Sequence, residues 1–76
     1  MNYIIIESQT TNGTTAVTLP IETRNNLNDA LSVYHGKCSV AAISAVPRHA
    51  VTLLNERGQI VKYECFDHPA SEEAAE

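Results

Sequence analysis

Four stretches rich in β-branched and aliphatic residues, with one helical stretch in the middle, set the pattern of this chain. Residues 2–10 read NYIIIESQT, and the Ile and Tyr in this run suit a pleated surface. Asn12-Gly13 follows, and Asn-Gly is a strong signal for a two-residue hairpin turn. The return strand over residues 15–19 is predicted to stop at Pro20, which cannot donate to a ladder. The pattern therefore predicts an N-terminal β-hairpin.

A helix is predicted next, because apolar residues recur at spacings of three and four and form one stripe. The stripe contains Leu27, Ala30, Leu31, Tyr34, Cys38, Ala41, Ala42 and Ala45, flanked by Val33 and Val40. Thr23, Asn25 and Asn26 are the cap candidates before it. Pro47 is predicted to end the helix, because the residue before a proline is pushed out of helical geometry. Gly36 costs about 1 kcal/mol relative to Ala in mid-helix, which indicates a close approach of the sheet or a bend.

Residues 49–54 and 59–66 predict a second hairpin around Asn55-Glu56-Arg57-Gly58. Gly58 suits the left-handed position of a three-residue loop with a bulge. The predicted register places six residues on one sheet face as opposed pairs, namely Leu53 with Val61, Val51 with Tyr63, and His49 with Cys65. Thr52, Lys62 and Glu64 then occupy the other face. A slip by one residue would put Lys62 opposite Val51, which favours the predicted register.

The elements together predict an α+β fold in the order ββαββ, with a four-stranded, mainly antiparallel sheet and one helix packed on one face. The domain is predicted to span residues 1–69, and the acidic residues 70–76 are expected to be a disordered tail. If all neighbouring strands are antiparallel, their order is second, first, third, fourth. A right-handed crossover from the second strand through the helix to the third is the alternative.

A single helix covers only one face of a sheet, so the other face is predicted to be bare. Ile4, Ile6 and Phe66 are the apolar residues expected on that bare face. An exposed apolar patch of this kind is typical of an interaction surface. The sequence therefore favours a homodimer, a larger assembly of the same chain, or binding of another protein.

Length and charge narrow the class of protein. Seventy-six residues make one domain, and 43% hydrophobic residues at a net charge of −4 indicate a folded chain. The five basic residues are scattered, which argues against nucleic acid and anionic membrane surfaces as partners; they are Arg24, Lys37, Arg48, Arg57 and Lys62. The apolar run at residues 3–6 is too short to span a bilayer, and the N-terminus lacks a secretory signal. A cytoplasmic protein with reduced thiols is expected.

All cysteines and histidines fall into the pattern His35-x-x-Cys38, His49 and Cys65-x-x-His68. Thiolates and imidazoles are the usual ligands of structural zinc, so the five residues are candidate metal ligands. The spacing lacks the usual Cys-x-x-Cys pair, and both cysteines fall on predicted apolar faces. The sequence favours packing over zinc, with a disulfide as a further alternative. No orienting group accompanies a Cys–His pair, so no catalytic or cofactor-binding residue is predicted and the protein is not expected to be an enzyme.

Several short runs along residues 2–68 resemble a family of small uncharacterised proteins encoded in phage and prophage genomes, often among structural genes. The runs are Gln9-Thr10-Thr11-Asn12-Gly13, Ala30-x-x-x-Tyr34-His35, Ser39-Val40-Ala41-Ala42-Ile43-Ser44, Val46-Pro47-x-His49 and Leu53-Leu54-Asn55-x-x-Gly58. The resemblance implies a phage-related accessory or structural role, with association with the virion as an alternative to the cytoplasm. It brings no catalytic residue and no cofactor.

The sequence thus predicts a non-enzymatic interaction or accessory module that associates with itself. A small domain stabilised by zinc bound to cysteine and histidine is the alternative.

Overall fold

The elements of the computed structural model, which describes residues 1–68, follow the order ββαββ. They are β1 (Tyr3–Thr11), β2 (Thr14–Arg24), α1 (Leu27–Ala42), β3 (Arg48–Asn55) and β4 (Ile60–Asp67). The four strands form one sheet in the order β2-β1-β3-β4, and every neighbouring pair is antiparallel. The predicted α+β class is confirmed, and of the two strand arrangements that the sequence leaves open, the structure has the all-antiparallel one. The predicted tail, residues 70–76, lies outside the described residues.

The first hairpin turns where the sequence predicts. Asn12 and Gly13 have φ angles of 54° and 79°, and positive values at both central residues are what a type I′ turn requires. The end predicted for the second strand is wrong, because β2 continues through Pro20 to Arg24. The missing N–H of Pro20 is tolerated because β2 is an edge strand and the β1–β2 register shifts at this point.

Helix α1 begins as predicted and ends earlier. The side chain of its N-cap, Asn26, accepts a hydrogen bond from the Asp29 backbone N–H at 3.1 Å, which satisfies a donor that the first turn leaves free. The helix ends at Ala42, so Ala45 of the predicted stripe lies outside it. Ser44 explains the early end, because its side chain accepts from the Val46 backbone N–H at 3.0 Å and so offers the chain a non-helical alternative.

The core is small and lies between α1 and the centre of the sheet. It consists of six buried hydrophobic residues: Ile5, Val51 and Leu53 of the sheet, and Ala30, Tyr34 and Ala41 of the helix. Val40, predicted to flank the stripe, is 60% exposed. A Cβ added at Gly36 would meet no atom within 4 Å, so the interpretation of Gly36 as a point of close approach is wrong.

The second hairpin departs from the predicted register after two pairs. The Asn55 N–H donates to the Gln59 carbonyl at 3.0 Å, and Leu54 pairs with Ile60, both as predicted. A β-bulge then leaves Val61 without a partner in β3, so that Lys62 pairs with Leu53. An extra residue in one strand moves every later side chain of that strand to the opposite face.

Because of the bulge, the predicted faces of five residues in β4, Lys62 to Phe66, are wrong. Phe66 pairs with His49 and packs against the core, so it lies on the helix face. The prediction that Phe66 lies on the bare face is wrong. Tyr63 and Cys65 move to the bare face, opposite Thr52 and Ala50. The exchange is favourable because Phe66 gains burial, while the displaced Lys62 and Glu64 keep their contact with water at the sheet edge.

Within residues 1–68, no helix is long and apolar enough to cross a membrane.

Candidate functional site

Three charged or titratable side chains meet under the helix, on the covered face of the sheet. Oε2 of Glu7 lies 2.5 Å from Nε2 of His49, and Oε1 of Glu7 lies 3.5 Å from Nζ of Lys37. The side chains of Glu7, His49 and Lys37 are 12%, 3% and 21% exposed, respectively. We call this group, Glu7, Lys37 and His49, the buried polar cluster. It links the two central strands to α1.

The geometry of the buried polar cluster sets what it can do. Because a carboxylate only accepts, Nε2 of His49 carries the proton of the short hydrogen bond to Glu7. Nδ1 of His49 is buried and has no hydrogen-bond partner among the described residues. Only 12% of the Glu7 side chain is exposed, and the cluster joins residues of β1, β3 and α1, so it positions α1 on the sheet.

Sequence reasoning missed Glu7, although the strand pattern contains the signal. Glu7 follows Tyr3 and Ile5 at a period of two, so the alternation of a strand puts it on the same face as those core residues. A carboxylate on a core face requires a partner. The sequence pattern indicates His49 as a candidate metal ligand and Lys37 as one of the scattered basic residues, so neither points to Glu7.

The structure scatters the five candidate metal ligands. His35 is exposed and Cys38 is half-buried on α1, while Cys65 is exposed on the bare face. Nε2 of His68 bonds to the Ala41 carbonyl at 2.9 Å, and His49 bonds to Glu7. The predicted pairing of His49 with Cys65 is wrong, because the bulge in β4 shifts the register. No group of three or more metal-binding side chains comes together within residues 1–68. Zinc binding remains a prediction.

Both cysteines stand in surroundings that favour the neutral thiol. Burial raises the pKa of the Cys38 thiol, and the charge of Glu64 raises it further, although a hydrogen bond with Tyr34 opposes the shift. Loss of hydration raises the pKa of the Cys65 thiol, and the nearby Asp67 carboxylate adds to the shift. Nucleophilic attack and metal ligation both need the thiolate, so these surroundings favour neither.

A shallow cleft of about 350 Å³ lies at the end of the sheet where β3 begins and β4 ends. Its lining consists of Thr10, Asn12, Gly13, Pro47, Arg48, Asp67 and His68. Nε of Arg48 donates to Oδ1 of Asp67 at 2.8 Å, and this bond holds the pKa of the Asp67 carboxyl below its usual range. Because Arg48 and Asp67 bind each other and the His68 ring bonds to backbone, these groups do not converge on a common point in the cleft.

The face of the sheet opposite α1 carries several apolar side chains. Three cross-strand rows, each of three residues from β1, β3 and β4, form what we call the uncovered face. The rows are Ile4, Leu54 and Ile60; Ile6, Thr52 and Tyr63; and Ser8, Ala50 and Cys65. None of the nine residues is charged. The structure thus places Ile4 and Ile6 on the bare face, as predicted.

Exposure on the uncovered face rises from the centre of the sheet to its edge. Ile4, Ile6 and Leu54, on the central strands, are half-buried by their neighbours. Ile60 and Tyr63, on the edge strand β4, are 61% and 67% exposed. The next row along the strands carries the Arg48–Asp67 ion pair, which forms a charged border to the apolar rows.

Comparisons with known proteins identify no relative: no family model matches the chain, and neither the curated proteins nor the solved structures searched contain a match.

Proposed function

We propose that this protein is a small, non-enzymatic interaction module whose partner is a second copy of itself, bound across the uncovered face. The observation that carries the proposal is the uncharged, apolar face that one helix leaves bare on a four-stranded sheet. Two such faces stack about 10 Å apart in β-sandwiches, where the inner side chains of both sheets form a common core.

The size of the whole sheet face opposite α1 is compatible with this proposal. With β2 and the charged border included, four strands about 4.8 Å apart, each of about eight residues at about 3.3 Å per residue, give a sheet face of about 19 Å by 26 Å. A stacked pair that uses this whole sheet face buries about 500 Å² per copy and about 1,000 Å² in total, which is near the lower limit for a specific protein interface. The area is sufficient for a reversible dimer and small for an obligate one.

The small core of the single chain also supports association. Only three large aliphatic side chains, Ile5, Val51 and Leu53, are fully buried among the described residues. Fully burying one such side chain stabilises a fold by about 1.5–3 kcal/mol. Domains of this size are marginally stable alone, and a second copy would bury Leu54, Ile60 and Tyr63 as well.

A second copy fits the uncovered face better than a charged partner does, because the nine residues offer no charge to complement. A symmetric pair places the same uncharged patch on both sides of the interface. The phage-related accessory role that the sequence resemblance implies is compatible with such a module and remains a prediction.

The test is the mass of the protein in solution, measured by analytical ultracentrifugation over about a hundredfold range of concentration, together with the melting temperature. Association of folded chains makes the melting temperature rise with protein concentration. Thr52→Arg places a charge at the centre of the uncovered face, and we expect it to weaken association by about tenfold or more. Thr52 is polar and half-buried already, so the change leaves the core of the single chain intact.

Two control variants accompany Thr52→Arg. Thr52→Val keeps the shape of the side chain and removes its hydroxyl, so association should be retained or strengthened. Ile43→Arg adds the same charge at a site that is 86% exposed at the end of α1, away from the uncovered face, and should leave the mass unchanged. A monomeric mass at every concentration, or equal association of Thr52→Arg and the unsubstituted chain, would overturn the proposal.

A further inference from the structure

The two edges of the sheet differ in their capacity to bind another strand. Edge strand β2 contains Pro20, which lacks an N–H, and its register with β1 shifts between Ile5 and Glu7. Proline and bulges are the features by which natural sheets blunt an edge. Edge strand β4 has no proline, and its bulge at Val61 lies near one end. The stretch from Lys62 to Asp67 pairs regularly with β3, and no other strand among residues 1–68 pairs with its outer side.

The backbone of β4 presents hydrogen-bonding groups along this open side. The His68 N–H donates to the Pro47 carbonyl at 2.7 Å, so the backbone of His68 points toward the β3 side. In an antiparallel ladder, alternate residues direct their N–H and C=O groups to opposite sides of the strand. The N–H and C=O groups of Tyr63, Cys65 and Asp67 therefore point away from β3 and are available to a further strand.

The charges on β4 form a short pattern of opposite sign around Tyr63. Lys62 and Glu64 flank Tyr63 and both lie on the helix face, since they pair with the core residues Leu53 and Val51. Both side chains are exposed. Neither forms an ion pair within the described part of the chain.

We propose that the β4 edges of two copies pair antiparallel about a two-fold axis at Tyr63, so that Lys62 of each copy lies directly opposite Glu64 of the other. The axis is perpendicular to the sheet, so each side chain keeps its face. Tyr63 then lies beside its symmetry mate on the uncovered face, and Val61 lies opposite Cys65 of the second copy. Opposite charges and aromatic pairs at directly opposed positions stabilise antiparallel strands.

The charge pattern selects this register over its neighbours. Paired residues must point to the same face, so a symmetric antiparallel pairing has to be centred on a residue opposite itself. Centring on Lys62 sets two ammonium groups side by side, and centring on Glu64 sets two carboxylates side by side. Like charges directly opposite each other are destabilising. Of the three registers centred on residues 62–64, the one centred on Tyr63 is the only one without a like-charge pair.

This inference rests on the proposed self-association and adds a second, distinct surface to it. Pairing of the β4 edges makes a continuous eight-stranded sheet, in which the uncovered faces of two copies lie side by side. Stacking of two such sheets through their uncovered faces would give a tetramer. Loss of the edge contact alone should therefore leave dimers held by the uncovered face.

Charge reversal tests the register, with sedimentation used to measure the mass of the whole chain. Lys62→Glu sets two carboxylates opposite each other across the edge, and Glu64→Lys sets two ammonium groups there, so each single variant should weaken the edge contact by about tenfold or more. The double variant Lys62→Glu, Glu64→Lys restores the opposite charges with their positions exchanged and should associate like the unsubstituted chain. A mixture of the two single variants should form mixed dimers, in which every opposed pair is again of opposite sign.

The outcomes separate this inference from the proposed function. If the unsubstituted chain associates and Thr52→Arg weakens it, but the two single charge reversals do not, the edge register is wrong and the proposed function stands. If the charge reversals weaken association without rescue in the double variant or the mixture, the pairing of residue 62 with residue 64 is wrong. If the reversals behave as expected while Thr52→Arg has no effect, the uncovered face is not the second surface. Circular dichroism of each variant shows whether it folds.

Discussion

At the scale of single residues, the least expected feature is a carboxylate under the helix. Glu7 continues the core face of β1 beyond Tyr3 and Ile5, and burying its charge is costly unless partners compensate. His49 and Lys37 provide those partners from β3 and α1. The buried polar cluster thus fixes how the helix lies on the sheet, because each member comes from a different element.

Removing two members of the cluster should cost less than the sum of the two single losses. Glu7→Leu leaves His49 without the partner of its Nε2–H and Lys37 beside an apolar side chain, and we expect a loss of about 3 kcal/mol in the free energy of unfolding. The double variant Glu7→Leu, His49→Leu replaces the pair by apolar groups and should lose less than the sum of the two single variants. Urea unfolding of the four proteins of this cycle gives the coupling. Simple additivity would show that the 2.5 Å contact contributes nothing.

The raised pKa of Tyr34 predicts how the free energy of unfolding changes at alkaline pH. Burial raises its pKa from 10.0 to about 12, with further contributions from Cys38 and Glu64. The folded chain then holds a proton that the unfolded chain releases, so stability is complete below pH 10 and falls as the pH rises toward about 12. The full shift corresponds to about 2 to 3 kcal/mol.

Tyr34→Phe should therefore remove a large part of the alkaline loss, measured as the free energy of unfolding between pH 8 and pH 11. Tyr63→Phe, measured at the same low protein concentration, is the matched control, because Tyr63 is 67% exposed and its substitution leaves Tyr34 in place. Identical alkaline profiles for Tyr34→Phe and the unsubstituted chain would contradict the assignment to Tyr34.

At the scale of the elements, local signals define where each element begins more reliably than where it ends. Asn26 begins α1 through a side-chain cap, and Asn12-Gly13 begins the return of the first hairpin, both as the sequence predicts. The end of α1 and the length of β2 differ from prediction. The length of β2 depends on neighbours in space, because β2 can pass Pro20 only as an edge strand. The end of α1 is set locally, where the Ser44 side chain accepts a hydrogen bond from the Val46 backbone N–H.

The open surroundings of Gly36 give a prediction for α1. Because a Cβ at this position meets no atom within 4 Å, Gly36→Ala should stabilise the protein by up to about 1 kcal/mol through helix propensity alone. Gly58→Ala is the contrasting variant: its φ of +82° is strained for any residue with a side chain, so a loss of about 1 kcal/mol is expected. Thermal unfolding of both variants at one protein concentration measures the difference. A destabilised Gly36→Ala would contradict the open surroundings of this position.

At the scale of the whole molecule, one helix on a four-stranded sheet leaves two kinds of surface open. The uncovered face offers apolar area, and the β4 edge offers backbone groups flanked by Lys62 and Glu64. The two surfaces meet at Tyr63, whose side chain lies on the uncovered face and whose backbone lies on the edge. This shared residue is why the two proposed contacts need separate probes, Thr52 for the face and the charged pair for the edge.

The sequence by itself determined the class, the element order and the apolar character of the bare face, because these follow from local periodicity and turn chemistry. The period of two in β1 assigns Ile4 and Ile6 to the face opposite Ile5, and no tertiary contact is needed for that assignment. The all-antiparallel order was left open by the sequence, since strand pairing joins residues far apart in the chain.

Only the tertiary structure decided the register of β4 and the hydrogen-bond and ion-pair partners of the charged residues. A single bulged residue, Val61, places Phe66 on the helix face and moves Tyr63 and Cys65 to the opposite face. The free energy gained by this change depends on how much of Phe66 the helix can bury. His49 bonds to Glu7, 42 residues away in the chain, and not to a metal cluster with Cys65. Local pattern determines which side chains of an unbroken strand share a face, whereas the position of a bulge and the partner of each side chain depend on the packing of elements that the pattern does not position.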